Sequence, residues 1–499
     1  MTTWANNVAE VPKIHRLVVV ALCFLLLGIG LFWLFNRLLS DSRVATFLTF
    51  TVLLGLSSGG RLVEDLPMPW KWAVAATVIS ALVVIVLHLR DWWLLDLIFI
   101  AAAAGLLLPP LLNGVWSAVA QDVPADSNTD FGPVPAMAER PDIVLIVLDG
   151  YTSLPVLRDF FGYEDADLVG DLGRHGLQVS EPVITPYSMT HLAIPSLLDL
   201  DYVTDSATAD GRSMAQILGG DNRLVRLLSE NEYKITMVEP GWHMSVCGEL
   251  VDVCVADPFV DEAVDAVLSQ SLFWSLLEPT VGSAFTNGAR YAMASTLENI
   301  DTIVSNGTPD FLFVHVLAPH PPLFLDPECE IVEEGRRLSG RYAEVIGLAP
   351  EAAEVRLQGY ADQVRCVNGF IRQFAQSVAG SDTVVFISGD HGSDAMAQLA
   401  TVPDQWSEGQ MLDRMSTFLA VKAPAECNTR SALVTVAILR SLVSCVGGLD
   451  LDPIEAKAFV VSRAEVDGRP ADMRSLDARQ LTRLQACLAA RDLSLECPR

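Results

Sequence analysis

Two adjacent residues with metal-binding side chains, Asp390 and His391, follow the apolar run Thr383 to Ile387 after two intervening residues, Ser388 and Gly389. That run is β-branched and aromatic, which predicts a strand buried on both faces of a parallel sheet. Open α/β sheets bind ligands at the carboxyl ends of their strands, so these oxygen and nitrogen donors form a candidate metal site. The flanking Gly389 and Gly392 would let the backbone turn sharply and approach a bound group. The triplet alone is also compatible with a simple polar turn.

A second carboxylate and a hydroxyl could join this site. Asp149 ends the apolar run Ile143 to Leu148, so a second predicted strand delivers a ligand to the same edge of the sheet. Thr190 precedes an apolar, helix-like segment and can lie at a helix amino terminus, where free N–H groups and the helix dipole favour phosphate or sulfate. A metal-bound hydroxyl there can ionise and act as a nucleophile. The alternative is that Thr190 only caps the helix.

The elements that must position these residues alternate between strand and helix from Pro141 onward. Alternation of this kind predicts right-handed crossovers and a parallel or mixed sheet sandwiched by helices. Besides the two strands already described, the pattern predicts strands at Lys234 to Val238 and Phe311 to Leu317, and helices at Met214 to Glu230 and Glu351 to Ser377.

The composition restricts the function classes. The 499 residues are 51% hydrophobic and carry a formal net charge of -28. Such an acidic chain lacks the clustered Lys and Arg that a nucleic-acid surface needs, so we expect no nucleic-acid partner. The apolar content exceeds that of an ordinary soluble protein, which indicates that part of the chain lies in lipid.

The apolar excess is concentrated in residues 1–120, which we interpret as a bundle of about four transmembrane helices. About 20 apolar residues suffice to cross a bilayer. The candidate spans are Leu17 to Leu39, Val44 to Gly60, Trp72 to Leu89 and Trp92 to Trp116, of which the second is the weakest because it is short. A polar, Pro-rich and Asp-rich linker at 121–140 then leads to a catalytic domain at 141–499.

Cysteine usage indicates the compartment. Cys23 lies in the first predicted span, and the other eight cysteines all follow the membrane part. An even set suggests disulfides in an oxidising compartment, so we expect a multi-pass protein of the cell membrane whose catalytic domain is extracytoplasmic. The simplest pairing is local: Cys247 with Cys254, Cys329 with Cys366, Cys427 with Cys445, and Cys487 with Cys497.

The order Asp149, Thr190, Asp390-His391 resembles that of the alkaline phosphatase and sulfatase superfamily. It is most similar to the membrane-anchored sulfatase-like group, which includes lipoteichoic-acid synthases and phosphoethanolamine transferases. Two further segments resemble motifs of that group: the His-bearing stretch from Val314 to Pro322, and the stretch from Asp413 to Ala420 after the Asp-His-Gly turn. The resemblance implies an alkaline-phosphatase-like fold behind a transmembrane bundle.

The resemblance also implies roles for individual residues. Asp149, Asp390 and His391 would bind one divalent cation, and Thr190 would complete the ligand set as the alkoxide nucleophile. Three oxygens and one nitrogen suit Mn²⁺, Mg²⁺ or Zn²⁺ equally. His320 would act as general acid at the leaving-group oxygen.

Three further residues have less defined roles. His315 would be a structural strand residue that faces an apolar layer. Trp242 and His243 could line the substrate pocket, although core packing or a turn is the plainer interpretation.

Departures from the family pattern narrow the chemistry. Thr190 to Ile194 lacks the Cys or Ser followed by x-Pro-x-Arg that formylglycine sulfatases need, which favours phosphorus chemistry. Lipoteichoic-acid synthases carry Glu where this chain has Asp149, so their substrate does not carry over. We expect a phospho-headgroup to move from a membrane lipid to an envelope glycan or lipid acceptor through a phospho-threonine. A phosphate or sulfate ester hydrolase and a non-catalytic membrane scaffold are the alternatives.

Overall fold

The computed structural model describes sixteen stretches of the chain, namely residues 14–58, 134–180, 182–203, 212, 214–240, 247–256, 284–305, 307–323, 325–332, 348, 350–396, 405–427, 433–461, 465–466, 469–470 and 473–489. The chain divides into two compact units: Met1–Ser127 with Asp261–Ala284, and Asn128–Val260 with Phe285–Arg499. The domain boundaries proposed at residues 120 and 140 stay predictions.

The described residues of the amino-terminal unit include the helices α1 (Ile14–Leu39) and α2 (Ser42–Ser58). Within the described residues, Ala21–Leu39 is the one helical stretch long and apolar enough to cross a membrane. Its side chains are exposed, with Leu26 at 67%, as expected of a surface that meets lipid. The predicted spans at 72–89 and 92–116 lie outside the described residues, so the four-span bundle remains a prediction.

The second unit is built on a mixed seven-stranded sheet with the order β2-β7-β6-β1-β5-β3-β4. Its strands are β1 (Ile143–Leu148), β2 (Gln178–Val179), β3 (Lys234–Val238), β4 (Val253–Val255), β5 (Asp310–Val316), β6 (Val384–Gly389) and β7 (Leu419–Lys422). Strands β6, β1, β5, β3 and β4 run parallel, and β7 is antiparallel to both β6 and β2. The central strands are apolar without interruption because both of their faces are covered.

Helices cover both faces, which confirms the predicted sandwich. One face packs against α5 (Thr190–Leu198), α6 (Met214–Leu218), α7 (Arg223–Glu230) and α11 (Thr435–Val446). The other packs against α3 (Leu154–Phe161), α4 (Leu168–Arg174), α8 (Ala284–Ser305) and α9 (Pro350–Ser377). Successive side chains of β1 alternate between the two cores: Leu145 faces the first and Ile146 the second.

A third apolar cluster lies beside the sheet. It joins α10 (Glu408–Met415), α12 (Ala478–Leu488) and the short pair β8 (Ala458–Val460) and β11 (Arg474–Leu476) to Met189, the residue before α5. A separate small hairpin pairs β9 (Glu465–Val466) with β10 (Arg469–Pro470).

The continuous helix predicted from Met214 to Glu230 is wrong. Helix α6 ends at Leu218, and Gly220 adopts φ +106°, a left-handed conformation that suits glycine. Asn222 then caps α7 by accepting a hydrogen bond from Val225 N at 2.8 Å. A two-glycine turn and a new cap therefore divide the apolar pattern into two helices.

Three disulfides follow the predicted local pairing: Cys247–Cys254, Cys329–Cys366 and Cys427–Cys445. Cys487 is also disulfide-bonded, and its predicted partner Cys497 lies outside the described residues. Cys23 is a free, exposed thiol as predicted.

Candidate metal centre

Strands β1 and β6 bring the two predicted carboxylates together. They are parallel neighbours, and their register ends with Leu148 opposite Gly389. Asp149 and Asp390, the next residues along each strand, therefore leave the sheet at the same edge. Asp149 N extends the ladder by donating to Val316 O at 2.9 Å, which fixes where its side chain begins.

Asp390 is oriented by backbone donors. Its Oδ1 accepts hydrogen bonds from Gly150 N at 2.9 Å and from His391 N at 2.8 Å. Gly150 makes this possible because it turns with φ +73°. The other oxygen, Oδ2, lies 3.3 Å from His391 Nε2.

The His391 ring is held in one tautomer. Its Nδ1 lies 2.8 Å from Gly392 O, and a carbonyl oxygen only accepts, so Nδ1 carries the proton. Nε2 is then the atom with a free lone pair, and it faces Asp149 Oδ1 at 3.7 Å. A backbone carbonyl that fixes the tautomer in this way is typical of ligating histidines.

The three side chains fit a divalent cation. One ligand atom from each of Asp149, Asp390 and His391 lies within 4.8 Å of the other two, and all three residues are buried. Asp149 Oδ1 and Asp390 Oδ2 have no hydrogen-bond partner in the part of the chain that the structure describes. Buried carboxylate oxygens are costly unless paired, and a cation would satisfy both.

Electrostatics support the same assignment. Burial and the charge of Asp149 raise the pKa of Asp390 to about 7. Burial would also raise the pKa of Asp149, but three facing histidines lower it below its ordinary range. Burial and the Arg414 charge depress the pKa of His391, which keeps its imidazole neutral. Two carboxylates that share one pocket retain a proton that a cation can displace.

Thr190 lies at the first position of α5, as predicted, but it does not cap the helix. Met189 occupies the cap position. The Thr190 Oγ1 atom instead lies 3.0 Å from His391 Nε2, and the residue is only partly buried. The structure therefore places a reachable hydroxyl at the candidate metal ligands, beside the amino terminus of a helix.

His320 also comes to this site. It is half-buried on the segment after β5, and its ring centroid lies 6.4 Å from that of His391. Its Nδ1 is hydrogen-bonded to Pro321 O, so Nε2 is the ring nitrogen that would have to meet a substrate. Gln363 on α9 fixes the segment by donating to Pro319 O at 3.0 Å and to His320 O at 3.2 Å.

One residue at the site, Arg414, was missed from the sequence, and the contact that His315 makes was not predicted. His315 is the strand residue expected, but its Nε2 lies 3.3 Å from Asp149 Oδ2, so its ring contacts a candidate ligand. Arg414 is 3% exposed, and its Nη2 lies 3.1 Å from His391 Nε2. The available signals were the position of His315 at the end of a parallel strand and a lone arginine in the family-like segment after the Asp-His-Gly turn.

The flanking glycines are explained by chain packing. A Cβ on Gly392 would lie 1.9 Å from Asp413 O, and one on Gly389 would lie 2.4 Å from Tyr151 O. The close approach is therefore to neighbouring backbone, with the carboxyl end of β6 packed against the last turn of α10.

The remaining predicted site residues, Trp242 and His243, lie outside the described residues. Close to them in sequence, Glu239 accepts a hydrogen bond from Cys247 N at 2.8 Å. Glu239, Cys247 and Cys254 bring three potential ligand atoms together. Both sulfurs are in a disulfide, so they offer no thiolate to a metal.

This fold and this site define a sulfatase-like α/β enzyme. The sulfatase family model matches residues 141–415, which is more than half of the chain. The chain belongs to the sulfatase family, and the resemblance inferred from the motif order is confirmed. No curated protein matches its sequence.

A search of solved structures also found similar proteins. The C-terminal periplasmic domain of EcEptC from Escherichia coli is 12% identical, with a TM-score of 0.41, over 67% of this chain and 95% of that one. The soluble domain of lipooligosaccharide phosphoethanolamine transferase A from Neisseria meningitidis is 15% identical, with a TM-score of 0.39, over 63% and 90%. Lipoteichoic acid synthase LtaP from Listeria monocytogenes is 13% identical, with a TM-score of 0.39, over 64% and 74%.

Proposed function

We propose that this enzyme transfers a phospho-headgroup from a membrane lipid to an envelope glycan or lipid through a covalent intermediate on Thr190. The observation that carries the proposal is the Thr190 hydroxyl, which lies 3.0 Å from His391 Nε2 and leaves the helix cap to Met189. A threonine retained only for helix capping would have no reason to lie there. Its partial exposure leaves it open to a substrate.

Asp149, Asp390, His391 and Thr190 would together hold one Mn²⁺, Mg²⁺ or Zn²⁺ ion. A bound divalent cation would lower the pKa of the threonine hydroxyl and neutralise charge on the phosphoryl oxygens. One oxygen of each buried carboxylate, Asp149 Oδ1 and Asp390 Oδ2, lacks a hydrogen-bond partner among the described residues, which supports this ligand set.

The chemistry then divides into two displacements at phosphorus. Thr190 Oγ1 bonds to phosphorus after its proton has gone to solvent, and the bond from phosphorus to the lipid oxygen breaks. His320 Nε2 donates a proton to that oxygen, which leaves as a diacylglycerol hydroxyl. In the second step the acceptor hydroxyl gives its proton to His320 and attacks phosphorus, and the bond from phosphorus to Thr190 Oγ1 breaks. Thr190 Oγ1 then regains from solvent the proton that it lost in the first step.

Features outside the site support the donor class. The amino-terminal part holds an exposed apolar helix long enough to cross a membrane, and covalent attachment to such a segment keeps a catalytic unit near lipid. The paired cysteines support an extracytoplasmic compartment. Water in place of the acceptor would make the same site a phosphate ester hydrolase.

The first prediction tests the nucleophile. Thr190→Val replaces the hydroxyl by a methyl group at nearly constant volume, and we expect turnover to fall by roughly 10³-fold or more. Purified enzyme with Mn²⁺ and headgroup-labelled phospholipids is followed for diacylglycerol release and for label on the protein by intact mass. Thr190→Ser, which keeps a hydroxyl, should retain measurable turnover and a labelled intermediate.

Two outcomes would count against the proposal. Normal turnover by Thr190→Val would show that the reaction does not pass through a covalent intermediate on Thr190. Release of the headgroup only as a free phosphate ester, with added envelope glycans left unlabelled, removes the transferase assignment and leaves the hydrolase.

A further inference from the structure

Arg414 is a buried cation in direct contact with the candidate metal centre. It lies in the last turn of α10, a helix fixed at its start by a capping box between Ser407 and Gln410. Its Nε donates to Ser188 O at 2.7 Å and its Nη2 to His391 Nε2 at 3.1 Å. Burying a guanidinium is costly unless its charge and donors are used.

The hydrogen bonds of Arg414 leave its charge uncompensated at contact distance. Within the described residues they end on a carbonyl and an imidazole, and none ends on a carboxylate. Arg212, the other deeply buried arginine described, differs in this respect. It forms an ion pair with Asp199 at 2.8 Å and donates to Asp221 O at 2.7 Å, so its role is structural.

The hydrogen bond from Arg414 to His391 would be lost if His391 bound a cation. His391 Nδ1 carries a proton, so Nε2 has one lone pair, and Thr190 Oγ1 and Arg414 Nη2 both donate to it. Once that lone pair binds a cation, neither donor can use it. An N–H of Arg414 is then available beside the Thr190 oxygen, where the reacting group must sit.

The guanidinium plane is set in advance by its other contact. Ser188 O receives Nε, and the Ser188 side chain is locked on both sides, with Oγ donating to Val461 O and accepting from Val461 N at 2.7 Å each. A planar fork held by one edge presents its remaining donors in a fixed direction, which matches the oxygens of a tetrahedral anion.

We propose that Arg414 is a catalytic residue that binds the non-bridging oxygens of the phosphoryl or sulfuryl group transferred to Thr190. This inference rests on the proposed function. Arg414 keeps its protons throughout and only donates hydrogen bonds. The bond from Thr190 Oγ1 to the central atom forms as the bond to the leaving oxygen breaks, and the leaving oxygen takes its proton from His320.

Charge supports an anionic ligand of this size. Asp149 and Asp390 would be engaged by a divalent cation, and among the described residues the hydrogen bonds of Arg414 end on neither of them. The neighbouring acidic groups Asp394 and Asp413 act on the Arg414 charge through space. An anionic tetrahedral ester would still be attracted here, because the Arg414 guanidinium can donate hydrogen bonds to its oxygens.

The test measures anion binding apart from turnover. Inorganic phosphate, and sulfate in a second series, are titrated calorimetrically into the protein with and without Mn²⁺, for wild type, Arg414→Gln and Arg414→Lys. We expect phosphate affinity to fall on the order of 10-fold to 100-fold in Arg414→Gln and by less in Arg414→Lys, which keeps a charge but not the fork. Mn²⁺ affinity should be unchanged or higher, because both variants keep every proposed ligand and Arg414→Gln removes a positive charge beside His391.

The matched control is Arg212→Lys, a buried arginine that touches neither Thr190 nor His391. It should leave phosphate and Mn²⁺ affinity unchanged, whatever it does to the melting temperature. If Arg414→Gln does not fold, Arg414→Lys decides. Guanidinium-based rescue gives a further readout, since methylguanidinium should restore phosphate binding to Arg414→Ala.

Two results would overturn the inference. If the Arg414 variants bind phosphate as tightly as wild type, the role of Arg414 is structural, through its hydrogen bond to Ser188 O. Equal losses of phosphate and Mn²⁺ affinity would make it a support for His391. A wild-type enzyme that labels Thr190 while the variants bind phosphate normally refutes only this inference, whereas an unlabelled wild type refutes the proposed function itself.

Discussion

The pKa values of Asp149 and Asp390 shift in opposite directions, and this difference affects how the site binds a cation. Burial would raise the pKa of Asp149, but the nearby histidines, His320 most of all, lower it below its ordinary range. Burial and the charge of Asp149 raise the pKa of Asp390. Its backbone donors engage only Oδ1. The proton held on Asp390 is therefore the one that competes with a metal ion.

The raised pKa of Asp390 predicts that both stability and Mn²⁺ affinity depend on pH. The pKa of Asp390 is about 7 in the folded, metal-free protein and lies near 3.9 in an unfolded chain. Since the folded pKa is raised, this group stabilises the fold fully below about pH 4, and the contribution is lost as pH rises through about 7. Mn²⁺ affinity should correspondingly rise with pH and level off above about 7.

Calorimetric titration of the chelator-treated protein with Mn²⁺ across this range measures the effect. Asp390→Asn is the matched variant: it should bind Mn²⁺ weakly, and its affinity should lack the rise toward about pH 7. An equally steep rise in Asp390→Asn would assign the titration to another group.

At the scale of elements, the site depends on how closely the end of β6 packs against α10. The backbone after β6 is tied to the helix through Gly392 N, which donates to Arg414 O at 2.8 Å. Side chains reinforce the tie, with Ser393 Oγ and Met396 N both donating to the Asp413 carboxylate. His391 and Arg414 are therefore positioned relative to each other by one short, tightly packed junction.

A pair of glycine substitutions tests this junction. A Cβ on Gly392 would lie 1.9 Å from Asp413 O, a backbone atom that cannot rotate away, so we expect Gly392→Ala to lower the melting temperature strongly. A Cβ on Gly369 of α9 meets nothing within 4 Å, and Ala exceeds Gly in helix propensity by about 1 kcal/mol. Gly369→Ala should therefore be neutral or stabilising by calorimetry, and similar melting temperatures for the two variants would refute the packing argument.

At the scale of the whole molecule, the cysteines report the compartment. Three disulfides join described cysteines of the second unit, with sequence separations of 7, 37 and 18 residues, and Cys487 is also disulfide-bonded. A cytoplasmic protein would hold these thiols reduced. The arrangement agrees with an extracytoplasmic catalytic unit that follows a membrane-spanning segment.

Peptide mapping of the native, non-reduced protein checks this. We expect the three pairs to be cross-linked, Cys487 to be joined to Cys497, and Cys23 to be modified by an added alkylating reagent. Recovery of all eight cysteines of the second unit as free thiols in protein isolated from its native membrane would contradict the extracytoplasmic assignment. Cys23 serves as the internal control, because it is described as exposed and unpaired.

The sequence by itself determined what depends on neighbours along the chain. Uninterrupted apolar runs predicted β1 and β6. Asp149, Asp390 and His391 were chosen as candidate ligands because they come directly after these strands. Thr190 was found because a polar segment changes there into an apolar helix, and the disulfides were found because each joins nearby cysteines. The broken helix after Met214 was missed because its apolar period continues across a two-glycine turn.

Tertiary structure alone decided the remainder. His315 reaches Asp149 because β5 is the parallel neighbour of β1, an order that no local pattern encodes. Arg414 reaches His391 because Gly392 allows α10 to pack against the end of β6 at backbone distance. Strand order and interhelix packing are set by the burial of whole apolar faces, which sums over many distant residues. The candidate ligands could thus be predicted from the order of residues along the chain, whereas the position of the Arg414 guanidinium beside them depended on the complete fold.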